Sequence, residues 1–206
     1  MFAARAGGAC AAASVAAYLL YRRWKSRRSI GPVTTTLRDG GRVCIDLLKN
    51  RPDLAPECAL LCFTEFEEAY KDLGFPTNQS ALDNLEAGYL NDDKVPFVLV
   101  CYDADEPSHL LGTVTLDDED MSTRPELTPW VADCLTLPEA RGRGIATLLV
   151  RRLVTLAGQL GQQRIYLWSE HEEAFFAKLG FKRHEPERFD YAGAMVTLMR
   201  IDTDAV

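Results

Sequence analysis

Apolar residues recur along the chain in short runs that are continuous or alternate with polar positions, and these runs predict β-strands. The first is Arg42–Leu48. Two more, Pro96–Tyr102 and Leu110–Leu116, are separated by the turn-forming sequence DADEPSH and predict a hairpin. Further strands are expected at Trp130–Leu137, at Arg164–Ser169 and in the paired runs FDYAG and AMVTLMR near the C-terminus.

A spacing of three to four residues between apolar positions predicts helices between these strands. Ser80 and Asp83 have the spacing of a capping box, so a helix is expected to begin near Ser80. Helical segments are predicted over residues 57–70, from 80, over 145–160 and over 171–180. The order of the elements predicts an α/β (α+β) domain, in which a mixed sheet is flanked by about four helices.

The N-terminal segment, residues 1–28, differs from the rest in charge and hydropathy. Residues 6–21 form an uncharged run, followed at once by RRWKSRR. This order is typical of a membrane anchor that holds the domain on the cytosolic side, and it would suit the mitochondrial outer membrane. A cleaved transit peptide leading to the mitochondrial matrix is the alternative. Residues 29–40 are expected to be a linker and residues 41–206 the globular domain.

The net charge of the domain differs from that of the N-terminal segment, and it limits the kinds of partner that the domain can bind. Residues 1–38 contain seven basic residues and no acids, whereas the remaining 16 basic residues face all 30 acids, a net charge of −14. Such a body is a poor binder of nucleic acid and suits a cationic, amine-bearing partner. The six scattered cysteines include no CxxC pair, which indicates a reducing compartment and no structural metal.

The sequence RGRGIATLL, which begins at Arg141, places two glycines and two arginines between a predicted strand and a predicted helix. Backbone N–H groups at a helix start bind phosphate, and glycine lets the anion approach them closely. The GxxxxGK[ST] motif is absent, and Thr147 stands where GxGxxG requires its last glycine. The turn therefore predicts a site for a phosphate that belongs to neither a P-loop nor a dinucleotide fold.

The stretch LTLPEARGRGIATLLV resembles the acetyl-CoA signature of the GNAT N-acetyltransferase superfamily, [Q/R]-x-x-G-x-[G/A], and EEAFFAKLGFK resembles its YxKLGF helix. The likeness, nearest to bacterial-type members of undefined acceptor, covers residues 96–200 well and 42–95 by element order alone. It implies a mainly antiparallel sheet whose fourth and fifth strands, counted from Arg42, splay apart. It also implies that acetyl-CoA is the co-substrate, contacted by Cys134, Leu135, Thr136, Arg141, Gly142, Arg143, Gly144, Ile145, Ala146, Ser169 and Phe176.

Acetyl transfer requires a neutral amine and a group that accepts its proton. Asp133 is the first candidate for the base, with His171 as an alternative, and HEEAF lacks the HExxH pattern of a metal site. Many relatives use a tyrosine as the acid where this chain has Phe176. Tyr191, Tyr166 and water are the possible substitutes. Val131, Asp133 and Leu135 are expected to share one face of their strand.

The resulting hypothesis is an N-acetyltransferase that is tethered to a membrane through residues 6–21. Its acceptor is expected to be a small molecule or a peptide or protein amine, reached through the acidic loop Asp117–Asp120. The chain is not expected to bind nucleic acid, and the resemblance leaves a homodimer open. The alternative is a catalytically silent acyl-CoA-binding module that acts as a sensor or scaffold, a reading that Phe176 favours.

Overall fold

The computed structural model describes residues 31–91 and 94–205, in which nine strands form one sheet. Their order is β1-β2-β3-β4-β5-β6-β9-β7, and β8 pairs with β9 alone. Neighbouring strands are antiparallel except β5 and β6. The strands are β1 (Val33–Thr36), β2 (Arg42–Leu47), β3 (Phe97–Asp103), β4 (Leu110–Asp117), β5 (Trp130–Thr136), β6 (Arg164–Ser169), β7 (Lys182–Arg183), β8 (Phe189–Tyr191) and β9 (Ala194–Asp202).

Helices cover both faces of this sheet. They are α1 (Ala55–Glu65), α2 (Glu67–Asp72), α3 (Asn78–Gly88), α4 (Ile145–Gln159) and α5 (Glu173–Lys178). The two faces can be told apart at β4, because successive residues of a strand point to opposite sides. On one face, the Thr113 hydroxyl accepts a hydrogen bond from the Cys58 thiol of α1. On the other face, a Cβ at Gly112 would lie 3.4 Å from the Ile145 side chain of α4. The mixed α/β sheet that the sequence predicts is confirmed.

The apolar stripe of α4 is buried as its periodicity predicts. Ile145, Leu149, Leu153 and Leu156 each expose at most 1% of their surface. Gly161 ends this helix with a φ of +87°, a left-handed conformation that glycine adopts without strain. Packing of α4 on β4 and β5 therefore fixes the position of its N-terminus.

Three local predictions differ from the structure. The expected linker contains β1, whose valine and threonines are β-branched and pair with β2. The helix predicted over 57–70 is interrupted at Phe66, where φ is −121° and ψ is 35°. Helix α3 begins before Ser80, because Thr77 is its N-cap and accepts a hydrogen bond from the Ser80 amide.

The predicted anchor, residues 6–21, lies outside the described residues. Within residues 31–91 and 94–205, no helix is both long enough and apolar enough to cross a bilayer.

Candidate functional site

The turn before α4 has the geometry of an anion cradle. Gly142 and Gly144 have φ values of +76° and +87°, which disfavour any side chain, and Gly144 is the N-cap of the helix. No side chain caps this N-terminus, so its first amides remain available to a ligand. A Cβ at either glycine would meet no atom of the described residues within 4 Å, so the backbone faces open space in this part of the structure.

A cavity of about 690 Å³ opens over this cradle. One wall is the cradle itself with the first turn of α4, and the opposite wall is formed by residues 35–39. The two arginines of the motif are held at the rim. Nε of Arg141 donates to the Thr136 carbonyl at 3.1 Å, and Nε of Arg143 donates to Asp39 at 2.7 Å. The predicted phosphate turn thus meets a space that can receive a ligand.

Strands β5 and β6 separate directly beyond the start of β5. Their parallel pairing is limited to Trp130 and Tyr166, with one further hydrogen bond from the Tyr166 amide to the Pro129 carbonyl. From Val131 onwards, the edge of β5 that faces β6 has no strand partner in the described part of the chain. The splay between these strands, the fourth and fifth counted from Arg42, is therefore confirmed.

Thr136 presents polar groups to this gap. Its carbonyl is turned away from β4, because it accepts from Arg141, whereas the next amide, that of Leu137, donates to β4. The N–H and C=O of one residue point to the same side of a strand, so the Thr136 amide faces the gap and the Leu135 amide faces β4. The Thr136 hydroxyl is buried and has no hydrogen-bond partner among the described residues.

A β-bulge places Asp133 and breaks the alternation that the sequence suggests. Val131 pairs with Leu116 and Leu135 pairs with Thr113, three residues away, so Val131 and Leu135 lie on opposite faces. The expectation that they share a face with Asp133 is wrong, because β5 holds one residue more than β4 across this interval. Asp133 has a φ of +47°, a conformation that aspartate tolerates better than most residues.

The bulge directs the Asp133 carboxyl to the face covered by α1, α2 and α3. There it accepts a hydrogen bond of 3.2 Å from the Thr115 hydroxyl. The side chain is largely buried and keeps some access to solvent. Burial raises the pKa of Asp133 to about 6, the charge of Asp117 adds to the effect, and the hydrogen bond from Thr115 opposes it.

Two carboxyls of the acidic loop interact with Asp133. Burial raises the pKa of Asp117 to about 6, although the Tyr89 hydroxyl donates to it at 2.9 Å. Burial and the charges of Asp133 and Asp117 also raise the pKa of Asp120 well above its usual range. In the described residues, no lysine or arginine is among the causes that set the pKa of these three carboxyls.

Aromatic side chains surround this carboxyl cluster. Tyr70 and Tyr89 come from α2 and the end of α3, and burial and then nearby aspartates raise the pKa of both phenols. Tyr191 packs edge-on against Trp168, with ring centroids 5.5 Å apart, and its hydroxyl lies 3.5 Å from the Asp120 carbonyl oxygen. Sequence reasoning missed Tyr70 and Tyr89, since no motif marks them and only the packing of the helices brings them to β5.

Ser169 and Phe176, which are also predicted to contact the cofactor, are not part of the cavity lining. Ser169 is buried, and its hydroxyl accepts from the Glu172 amide at 2.9 Å, so it orders the start of α5. Phe176 is buried between Phe175 and Phe181, with ring centroids 5.0 and 5.7 Å away.

The other candidate for the base, His171, lies on the surface. Its side chain is 82% exposed and faces Glu170 at 3.6 Å. Among the described residues, no hydrogen bond or ion pair joins His171 to Asp133. His171 precedes α5 and is exposed to solvent, and its role as the alternative base stays a prediction.

These features fit coenzyme A. The cradle suits a diphosphate, and the unpaired edge of β5, with the orphaned Thr136 hydroxyl, suits an amide-bearing chain that lies along a strand. Within the described residues, no group of His, Cys, Asp and Glu has the arrangement of a metal site. Fold and site together define a coenzyme A-dependent acyltransferase.

The comparisons with known proteins agree with this class. The model of the acetyltransferase (GNAT) family matches residues 61–181, more than half of the chain, and the chain belongs to this family. It is accordingly an acetyl-CoA-dependent N-acetyltransferase, with acetyl-CoA as co-substrate. A search of curated proteins found no match.

Solved structures show the same fold at low sequence identity. The GNAT domain of S. lividans PAT is 18% identical, with a TM-score of 0.57 over 83% of this chain and 96% of that domain. An acetyltransferase from Streptococcus agalactiae 2603 is 19% identical, with a TM-score of 0.54 over 78% of this chain and 98% of the other. These likenesses establish the architecture and leave the acceptor to be argued from the site.

Proposed function

We propose that this enzyme acetylates an amine acceptor that carries a second positive charge. The observation that carries the proposal is the cluster of Asp117, Asp120 and Asp133. Burial raises the pKa of all three carboxyls, the charge of Asp117 adds to the effect at Asp133, and both of these charges add to it at Asp120. Among the described residues, no basic side chain offsets these effects. Buried carboxylates are costly unless a cation compensates them. A cationic acceptor supplies that cation on binding, and the charge of −14 on residues 39–206 draws it in.

The transfer step follows from the positions of Asp133 and Thr136. Asp133 accepts a proton from the bound ammonium, directly or through one water, and thereby frees the amine lone pair. The amine nitrogen attacks the thioester carbonyl carbon, whose oxygen the Thr136 amide polarises. The C–N bond forms as the C–S bond breaks, and the second amine proton passes to the departing thiolate through water, because Phe176 has no proton to give.

Matched acceptors test the substrate class. With the full-length chain and acetyl-CoA, thiol release is measured for 1,4-diaminobutane and for butylamine, which offer the same reacting amine with and without a second cation. We expect kcat/KM to be at least about tenfold higher for the diamine, since each compensated carboxylate adds a charge-assisted contact. Equal values for the two amines would refute the requirement for a second charge.

The same assay tests the alternative that the chain is a catalytically silent acyl-CoA-binding module. Phe176 is the residue that favours this alternative. Tight coenzyme A binding without turnover of any amine in a panel of monoamines, diamines and lysine peptides would support a sensor or scaffold. Turnover of any member rules that alternative out and leaves only the choice of acceptor open.

We further propose that residues 6–21 tether the enzyme to a membrane, with the domain on the cytosolic side. The proposal rests on the uncharged run and its basic flank. Full-length protein expressed in eukaryotic cells should stay in the pellet on alkaline carbonate extraction, at full mass. Release at a reduced mass from the mitochondrial matrix would instead indicate a cleaved transit peptide.

A further inference from the structure

The turn between β1 and β2, residues 37–41, forms part of the coenzyme A cavity although it precedes the region that the family model matches. Hydrogen bonds from the Leu37 amide to the Gly41 carbonyl, at 2.8 Å, and from the Gly40 amide to the Leu37 carbonyl, at 3.0 Å, close the turn. Pairing of β1 with β2 fixes it to the sheet. Two independent parts of the chain, far apart in sequence, therefore face each other across one cavity.

This turn contains a socket for the Arg143 side chain. Asp39 accepts from Nε of Arg143 at 2.7 Å, while its other oxygen accepts from the Gly41 amide at 2.9 Å. The hydrogen bond from Gly41 and then Arg143 itself lower the pKa of Asp39, so the pair is ionised at neutral pH. A Cβ at Gly41 would collide with Nη2 of Arg143, so the guanidinium fits only because residue 41 is glycine.

The socket holds one edge of the guanidinium and leaves its other donors to a ligand. Arginine has five N–H donors, and among the described residues Arg143 donates through Nε alone, to Asp39. A long side chain that is already ordered loses less conformational freedom when it binds an anion. Arg143 also lines the cavity beside the glycine cradle, where the diphosphate is expected. Its pre-set orientation would therefore contribute directly to affinity for the cofactor.

We propose that Asp39 and Gly41 are positioning residues for coenzyme A, acting by presetting Arg143 towards the diphosphate. The inference rests on the cofactor site that the family assignment and the proposed function place at the cradle. It gives the N-terminal hairpin turn a part in cofactor binding that residues 61–181 alone do not contain.

Coenzyme A affinity of the full-length chain, measured by titration calorimetry without acceptor, tests the proposal. Gly41→Ala should weaken binding about tenfold, because the new methyl group displaces the guanidinium without altering any charge. The φ of Gly41 lies outside the left-handed region and the obstructing atom ends a flexible side chain, so the fold should tolerate this substitution. In an Arg143→Ala background, Gly41→Ala should have no further effect, because the residue through which it acts is gone.

Asp39→Ala provides a second measurement that does not rely on added bulk. Loss of the socket should weaken binding, whereas simple removal of a negative charge near a diphosphate would tighten it. Asp105→Ala is the matched control, since it breaks the comparable exposed pair between Arg42 and Asp105, which lies outside the cavity lining, and should leave affinity unchanged.

Each outcome bears on the proposal. Unchanged affinity in Gly41→Ala, an undiminished effect of Gly41→Ala in the Arg143→Ala background, or tighter binding by Asp39→Ala would each overturn it. Absence of coenzyme A binding by the wild-type chain would contradict the assigned cofactor site itself, which is a different failure.

Discussion

Gly144→Glu is expected to weaken coenzyme A binding by at least about a hundredfold. The glutamate side chain would enter the open space over the cradle and bring a negative charge against the expected diphosphate. It would also fill the anion site at the start of α4, which the helix dipole otherwise offers to a ligand. Titration calorimetry with coenzyme A measures the effect directly.

Gly161→Glu is the matched control, because Gly161 has the same φ of +87° as Gly144 and an equally open Cβ position. Both variants incur the same left-handed strain, about 1–3 kcal/mol. Gly161 ends the helix that Gly144 begins, roughly 25 Å away at 1.5 Å per residue. We expect lower thermal stability in both and lost binding in Gly144→Glu alone. Equal affinities in the two variants would remove the cradle as the diphosphate site.

The cofactor half of the site could be predicted from sequence because it depends on local properties of the backbone. Gly142 and Gly144 have positive φ, and an amphipathic helix follows at once, so motif and structure coincide. The splay was implied by the resemblance, and one parallel pair, Trp130 with Tyr166, confirms it. Local sequence specifies a turn and a helix start well, because few residue types can adopt them.

The arrangement of the proposed acceptor site around Asp133 depends on strand register and tertiary packing, which a sequence pattern does not specify. The bulge at Asp133 is visible only as a mismatch between β4 and β5, so simple alternation assigned Val131 to the wrong face. Tyr89 reaches Asp117 from the end of a helix 28 positions earlier in the chain. The Asp39 socket for Arg143 spans 104 positions. Such pairs form only once the sheet has fixed the relative positions of its turns.

Placement of Asp133 in a bulge is consistent with a catalytic role. Left-handed backbone outside glycine is uncommon and is retained where the surrounding structure imposes it, often at functional sites. Here it directs the carboxyl to the face of the sheet that α1, α2 and α3 cover, where Thr115 donates to it. An amide of Thr136, three residues along the same strand, faces the gap between β5 and β6. One irregular strand thus carries both the proposed base and the proposed hydrogen-bond donor to the thioester.

Asp133→Asn should lower kcat at least about a hundredfold, since the amide cannot accept a proton. The dissociation constant for coenzyme A should change less than about threefold, because Asp133 lies apart from the cradle and its cavity. Stopped assays of thiol release with saturating diamine, alongside calorimetry, separate the two quantities. Asp105→Asn, which makes the same charge change on an exposed loop, should leave both unaltered.

The pH dependence identifies the titrating group. Asp133 acts only when ionised, and its pKa is about 6, so the wild-type kcat should fall as pH decreases through about 6. The variant should lose this acidic limb. If kcat falls but the limb persists, Asp117, whose pKa is also about 6, is the titrating group and Asp133 only positions the acceptor. An unchanged kcat would exclude Asp133 as the base.

The same substitution should stabilise the fold at pH 8 while it removes activity. A carboxyl whose pKa is higher in the folded state than in the unfolded chain favours folding when protonated, so its contribution declines as pH rises from about 4 to about 6. At pH 8 the ionised Asp133 opposes folding, by up to about 3 kcal/mol at 1.4 kcal/mol per unit of pKa. Asp133→Asn removes this cost, and unfilled amide N–H bonds would reduce the gain to about 1–2 kcal/mol. Thermal unfolding should therefore show a higher Tm for Asp133→Asn than for wild type at pH 8, and a smaller difference at pH 5. A lower Tm at both pH values would mean that the carboxylate is compensated within the folded chain, and the argument for a cationic acceptor would lose its basis.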